Sequence, residues 1–164
     1  MNEQSRFESL RKRYKPNDIS ILFVGESYPQ NGSFFYKGDS VLYKLTKEAF
    51  DEHLGNDQFD LDYFMDQGCY LFDFCRSLHH MTFKEKVNET AAGIPILAGF
   101  LDEYKPEFII CTDNKVFNAI IMANAEIGDL IPESKIFDLP TPFFGNHRYY
   151  KEALIEVLKQ IDFK

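Results

Sequence analysis

Carboxylate side chains stand where apolar segments of the chain give way to polar ones. Glu26, Asp73 and Asp113 each close or follow such a segment. A carboxylate in that position can orient or deprotonate a water molecule, stabilise a developing positive charge, or cap the helix that follows. These three residues are therefore the first candidates for chemistry.

The segments that precede these carboxylates are predicted to be strands. Segments 19–24, 68–74, 106–111 and 135–137 are short and mostly apolar, as strands buried on both faces of a parallel sheet are. Segments of helical crossover length separate them, which implies right-handed βαβ units. We expect an α/β fold, a three-layer α/β/α sandwich with a central, mainly parallel four-stranded sheet. In such sheets the working residues lie beyond the carboxyl ends of the strands.

Helices are predicted from apolar residues at helical spacing and from capping residues. Asp39 or Ser40 can cap one helix, Asp113 and Asn114 can cap another, and Pro95 suggests a break or kink inside a third. The predicted helical spans are 5–14, 40–54, 61–67, 84–104, a segment that begins after residue 114, and about 148–161.

Composition indicates a single soluble domain over residues 1–164. The hydrophobic share is 45% and the charged share 27%, a balance typical of globular proteins. No apolar run approaches the roughly 20 residues that cross a bilayer, and the first residues lack a secretory signal, so we expect a cytoplasmic protein with no membrane partner. Cys69, Cys75 and Cys111 form no metal or disulfide pattern and are predicted to be buried thiols.

The net charge of −8 opposes binding to a phosphate backbone. A local basic face would be needed, and a basic rim around Glu26 would favour DNA whereas an acidic rim would count against it. The candidates for such a face are Arg11, Lys12, Arg13, Lys15, Lys37, Lys44, Lys47, His147, Arg148 and Lys151.

Two short motifs carry a resemblance to a known family. Gly25-Glu26-Ser27-Tyr28-Pro29, which continues through 32–38, is similar to the Gly-x-x-Pro signature of the uracil-DNA glycosylase superfamily. The segment 139–142, followed by 145–147, is similar to its second signature, with Leu139 in place of the leading His. The resemblance spans roughly 19–155. The cysteines that hold an iron–sulfur cluster in one branch are absent, so no cofactor or metal is expected.

The resemblance implies a DNA base-excision glycosylase, which hydrolyses the N-glycosidic bond of an extruded damaged or deaminated base. Glu26 and His147 would be catalytic, Phe34 or Phe35 would stack on the base, and Asp73 would read its edge. The remaining implied contacts are Gly25, Ser27, Tyr28, Pro29, Pro140, Thr141 and Asn146 for the substrate, with Lys37 and Arg148 for the nucleic-acid backbone. The expected partner is DNA, a nucleobase or a nucleoside, and a monomer is favoured.

Asp73 departs from the Asn that is common at its position in the family. An Asn offers a donor and an acceptor, whereas an ionised Asp offers acceptors only, so O4 of uracil would face a carboxylate. Either Asp73 is protonated in a dry pocket, or the preferred ligand presents an amino group such as N4 of cytosine or N6 of adenine.

Other interpretations of the same residues stay open. Glu26 could cap its loop, the paired Phe residues could be core, and Asp73 could cap a helix or pair with Arg76. His79 and His80 do not have the spacing of a metal site. The protein could also be a non-catalytic module that binds a nucleobase, or a hydrolase of a small N-glycoside, for which an acidic surface is no handicap.

Overall fold

A computed structural model gives the fold of residues 2–75, 78 and 81–163. These residues form a four-stranded sheet in the order β2-β1-β3-β4 with every pair parallel. Its strands are β1 (Ile21–Gly25), β2 (Cys69–Asp73), β3 (Phe108–Cys111) and β4 (Ile136–Asp138). The prediction of a central parallel sheet is confirmed, and the continuous burial of β1 and β3 explains why both segments are apolar throughout.

Helices cover the sheet on two sides. Helix α2 packs on α6, and α4 packs on α5, which gives the expected three-layer α/β/α arrangement. The bounds are α1 (Glu3–Arg13), α2 (Val41–Leu54), α3 (Leu61–Asp66), α4 (Phe83–Tyr104), α5 (Asn114–Glu126) and α6 (His147–Leu158).

The predicted capping residues Ser40 and Asp113 are confirmed at the starts of α2 and α5. The Ser40 side chain accepts a hydrogen bond from the Tyr43 backbone N–H at the start of α2. The Asp113 side chain does the same for Val116 at the start of α5. Each cap satisfies one of the backbone donors that a helix leaves unpaired at its first turn.

Of the break or kink expected at Pro95, the break does not occur, and α4 continues past this residue. The helix continues from Phe83 to Tyr104 with Pro95 inside it. A proline at this point removes the hydrogen bond to the carbonyl of Ala91. Because Ala91 and Pro95 are both exposed, water can bind that carbonyl.

Tyr36 closes part of the open edge of the sheet at β2. Its buried hydroxyl donates to the Leu71 carbonyl at 2.9 Å and accepts from the Leu71 N–H at 2.7 Å. β2 is an outer strand, so these two backbone groups would otherwise lack a strand partner. One side chain thus takes the place of a neighbouring strand at this residue.

The three cysteines are buried and free, as predicted. Burial raises the pKa of each thiol, for Cys75 to about 11. Among the residues described, no helix has the length and apolar character that crossing a membrane requires.

Candidate functional site

A cavity of about 420 Å³ lies at the carboxyl ends of β1, β2 and β3. β1 is connected towards β2 on one side and has β3 on the other, so the cavity occupies the switch point of the sheet. The structure brings most of the residues predicted from the first motif to this cavity. They are Gly25, Glu26, Ser27, Tyr28, Pro29, Phe34 and Phe35, and Asp73 at the end of β2 lines the cavity as well.

Asp73 reaches the cavity because its partner on β1 is a glycine. Gly25 and Asp73 are paired in the sheet register. A Cβ atom added to Gly25 would lie 2.4 Å from Asp73 Oδ1, well inside contact distance. The absence of a side chain at Gly25 therefore leaves the space that the carboxylate occupies.

The Asp73 carboxylate is buried and has few partners. Its side chain is 8% exposed, and Arg11 Nη2 lies 3.7 Å from Oδ2, which is an ion pair rather than a hydrogen bond. Burial raises the pKa of Asp73, while the positive charge of Arg11 opposes that rise. The suggested partner Arg76 lies outside the described residues, as do His79 and His80.

Arg11 is held in place by α1 and by aromatic rings. Its guanidinium pairs with Glu8 one turn earlier in the helix and lies 4.9 Å from the ring centre of Phe34 and 5.9 Å from that of Tyr28. Sequence reasoning placed Arg11 only among candidates for a basic face. Its position beside Asp73 depends on how α1 packs against the 28–34 loop, and no local pattern carries that information.

Glu26 is another carboxylate of the cavity and is more exposed than Asp73. Its side chain is 15% exposed, and Lys115 Nζ of α5 lies 3.3 Å from Oε2. No backbone N–H of the described residues donates to this carboxylate, so its position does not support the loop-capping interpretation. A carboxylate with one cation beside it and access to solvent can orient water and accept a proton.

Phe34 and Phe35 line the cavity but are largely core residues. Phe34 stacks on Phe7 with ring centres 4.1 Å apart, and Phe35 makes edge contacts with Tyr43 and Tyr36. Both are buried. Phe34 and Phe35 are therefore core residues and, at the same time, part of the cavity wall.

Phe144 is an exposed aromatic residue at the mouth that sequence reasoning did not single out. It is 94% exposed, it lines the cavity together with Phe143, and its φ of 58° lies in the left-handed region. A bulky residue rarely adopts that conformation. The Phe-Phe-Gly sequence before Asn146, in a loop, was the available signal.

A second cavity of about 390 Å³ adjoins the first and shares Asp113 and Phe144 with it. The predicted residues Pro140 and Thr141 line this cavity and not the first. Leu139, at the position where the family has His, is buried. The second motif therefore contributes a neighbouring wall, with no imidazole at its first position.

Four predicted site residues are not brought to either cavity. His147 and Arg148 are exposed in the first turn of α6, where Arg148 pairs with Glu152 at 2.8 Å. Lys37 pairs with Asp39 at 3.1 Å, and Asn146 precedes α6 without a side-chain cap. Their positions give no support to the proposed leaving-group and backbone roles, because none of the four lines either cavity.

The charge around the cavities is negative. Among the described residues that line them, Lys115 is the only cation, against Glu26, Asp73, Asp113 and Asp138. Other candidates for a basic face are committed elsewhere, since Lys47 pairs with Asp51 and Asp57 and Lys151 pairs with Glu52.

The first motif, the end of β2 and the 139–144 loop thus meet around two adjoining cavities. In this arrangement Asp73 is a buried carboxylate, Glu26 is a partly exposed one beside Lys115, and Phe143 and Phe144 supply exposed aromatic rings. No protein-family model matches the chain, and no curated protein sequence matches it either.

Proposed function

We propose that the protein is an N-glycosidase of the uracil-DNA glycosylase type, which holds a nucleobase in the cavity of about 420 Å³. The observation that carries the proposal is the meeting of Glu26 and Asp73 at one cavity with aromatic walls. A volume of this size falls in the range of roughly 300–1,000 Å³ that is usual for ligand sites.

In the proposed reaction Glu26 orients a water molecule for attack on the anomeric carbon of the sugar. The carbon–nitrogen bond breaks, the base leaves with its electron pair and takes up a proton, and Glu26 accepts the proton of the attacking water. The anionic side chain also stabilises the positive charge that develops on the sugar. Lys115 Nζ lies 3.3 Å from Glu26 Oε2 and helps to hold this carboxylate at the cavity.

The first candidate substrate is a base in DNA, as the resemblance implies. The second is a small N-glycoside or nucleoside, and the excess of carboxylates around the cavities favours it, because a phosphate backbone would be repelled there. The dependence of binding affinity on salt concentration distinguishes these two substrate classes. Affinity for DNA falls steeply with salt as counterions are released, whereas affinity for a neutral nucleoside scarcely changes.

The test is base release from single- and double-stranded oligonucleotides and from free nucleosides, measured for the native protein and Glu26→Gln. Glu103→Gln makes the same change at an exposed position of α4 and serves as the control. Release that falls about 100-fold or more in Glu26→Gln alone supports the proposal. Release that Glu26→Gln leaves unchanged removes Glu26 from the mechanism, and no release from any substrate leaves a binding module.

A further inference from the structure

The Asp73 carboxylate is a hydrogen-bond acceptor at the cavity to which no described residue donates a hydrogen bond. No hydrogen-bond donor of the described residues lies within bonding distance of its carboxylate, and the side chain is 8% exposed. Buried polar groups in folded proteins are nearly always hydrogen-bonded, so an exception needs a reason. A carboxylate at a ligand cavity has an evident one, since a ligand can supply the missing donor.

The two oxygens of the Asp73 carboxylate have different surroundings. Arg11 Nη2 lies 3.7 Å from Oδ2. The other oxygen, Oδ1, lies beside Gly25, which itself lines the cavity. One carboxylate oxygen therefore faces a fixed cation and the other is next to the space that a ligand would occupy.

We propose that Asp73 selects ligands by accepting a hydrogen bond from an exocyclic amino group, so that the cavity prefers amino bases to their oxo counterparts. This inference rests on the proposed function, which places a nucleobase in the cavity. It narrows the substrate class to cytosine- or adenine-type bases that keep their amino group, including alkylated forms. Deaminated bases such as uracil and hypoxanthine are disfavoured.

The discrimination follows from hydrogen-bond chemistry. An amino group donates to the carboxylate, whereas a carbonyl oxygen at the same place sets lone pairs against lone pairs. A site built to bond a donor rejects the analogue that lacks it, because the buried group is then left unpaired. In Asp73→Asn the amide can present either its oxygen or its N–H₂ to the base, so the preference for amino bases should largely disappear.

The experiment compares affinities within two matched ligand pairs, cytidine with uridine and adenosine with inosine. Each pair differs mainly by an amino group in place of an oxo group. Isothermal titration is performed on the native protein, Asp73→Asn, and Gly25→Ala, with Glu103→Gln as a control. Gly25→Ala keeps the Asp73 side chain but displaces its carboxylate, and thermal unfolding confirms that each variant is folded.

We expect the native protein to bind the amino member of each pair about tenfold or more tightly, and both site variants to reduce that ratio towards one. Binding without an amino preference, or a preference that both site variants retain, overturns the inference while the proposed function stands. No binding of any of the four nucleosides, together with no base release in the hydrolysis assay, overturns both. Base release that is equal for amino and oxo bases overturns the inference alone.

Discussion

Gly25→Ala is the smallest change that tests whether the Asp73 carboxylate contacts a ligand. The added methyl carbon would lie 2.4 Å from Asp73 Oδ1, and 3.6 Å from its Cγ. Ordinary van der Waals contact begins at 3.4 Å. The carboxylate oxygen, at 2.4 Å, must therefore move away by about 1 Å. Gly25 does not have a positive φ, so alanine strains the contact and not the backbone.

A retreat of this size breaks a hydrogen bond but leaves the fold intact. A hydrogen bond to a charged group contributes about 1.5–3 kcal/mol, which corresponds to an affinity loss of roughly 10- to 150-fold for an amino nucleoside. Overpacking in a filled interior costs about 1–3 kcal/mol. We expect Gly25→Ala to lower the free energy of unfolding by an amount at the lower end of this range, because the methyl group meets a side chain that borders a cavity.

Titration calorimetry measures the affinity of the variant, and urea unfolding measures its stability. Gly99→Ala is the matched control, since a Cβ there meets no atom within 4 Å and lies on an exposed turn of α4. It should raise stability by about 0.5–1 kcal/mol and leave affinity unchanged. A Gly25→Ala protein that is folded and binds amino nucleosides as tightly as the native chain would refute the reasoning.

Three further predictions concern stability. Tyr36→Phe leaves both backbone groups of Leu71 unpaired and should lower the free energy of unfolding by about 1–3 kcal/mol in urea titrations; an unchanged midpoint contradicts this. Phe144→Gly relieves a left-handed φ without loss of packing and should raise that free energy by up to about 1 kcal/mol, so a clear fall would show that the ring is packed in solution. Burial raises the pKa of Asp73 above its unfolded value of roughly 4, so the folded chain keeps this proton to higher pH. The raised pKa should therefore contribute to the free energy of unfolding below the unfolded pKa, and this contribution should be lost as pH rises through the folded pKa. Asp73→Asn should abolish the contribution. Identical pH profiles of the free energy of unfolding for the two proteins would be inconsistent with the shift.

The strands and helix starts were predictable because their signals are local. Continuous apolar runs gave β1 and β3, and single side chains at Ser40 and Asp113 marked where α2 and α5 begin. Of the break or kink expected at Pro95, the break was wrong, because an exposed turn tolerates the lost hydrogen bond.

The site was predictable only as far as the strand ends define it. Glu26 and Asp73 follow from the rule that functional residues lie at carboxyl ends of parallel strands. The pairing of Arg11 with Asp73 depends on helix packing between distant segments, which no spacing in the sequence encodes. The position of His147 depends on the path of a loop with positive φ at Phe144 and Gly145, and such paths are set by the surrounding structure.

The hydroxyl of Tyr36 has a consequence for behaviour at high concentration. A bare outer strand is a template on which another chain can add a strand, and this is a common start of aggregation. The phenol oxygen of Tyr36 binds both the N–H and the carbonyl of Leu71, the middle residue of β2. These two groups are therefore not free to pair with a strand of another chain. Colloidal stability of the protein would then depend on a side chain that lines neither cavity, and we expect its loss to raise the turbidity of concentrated solutions.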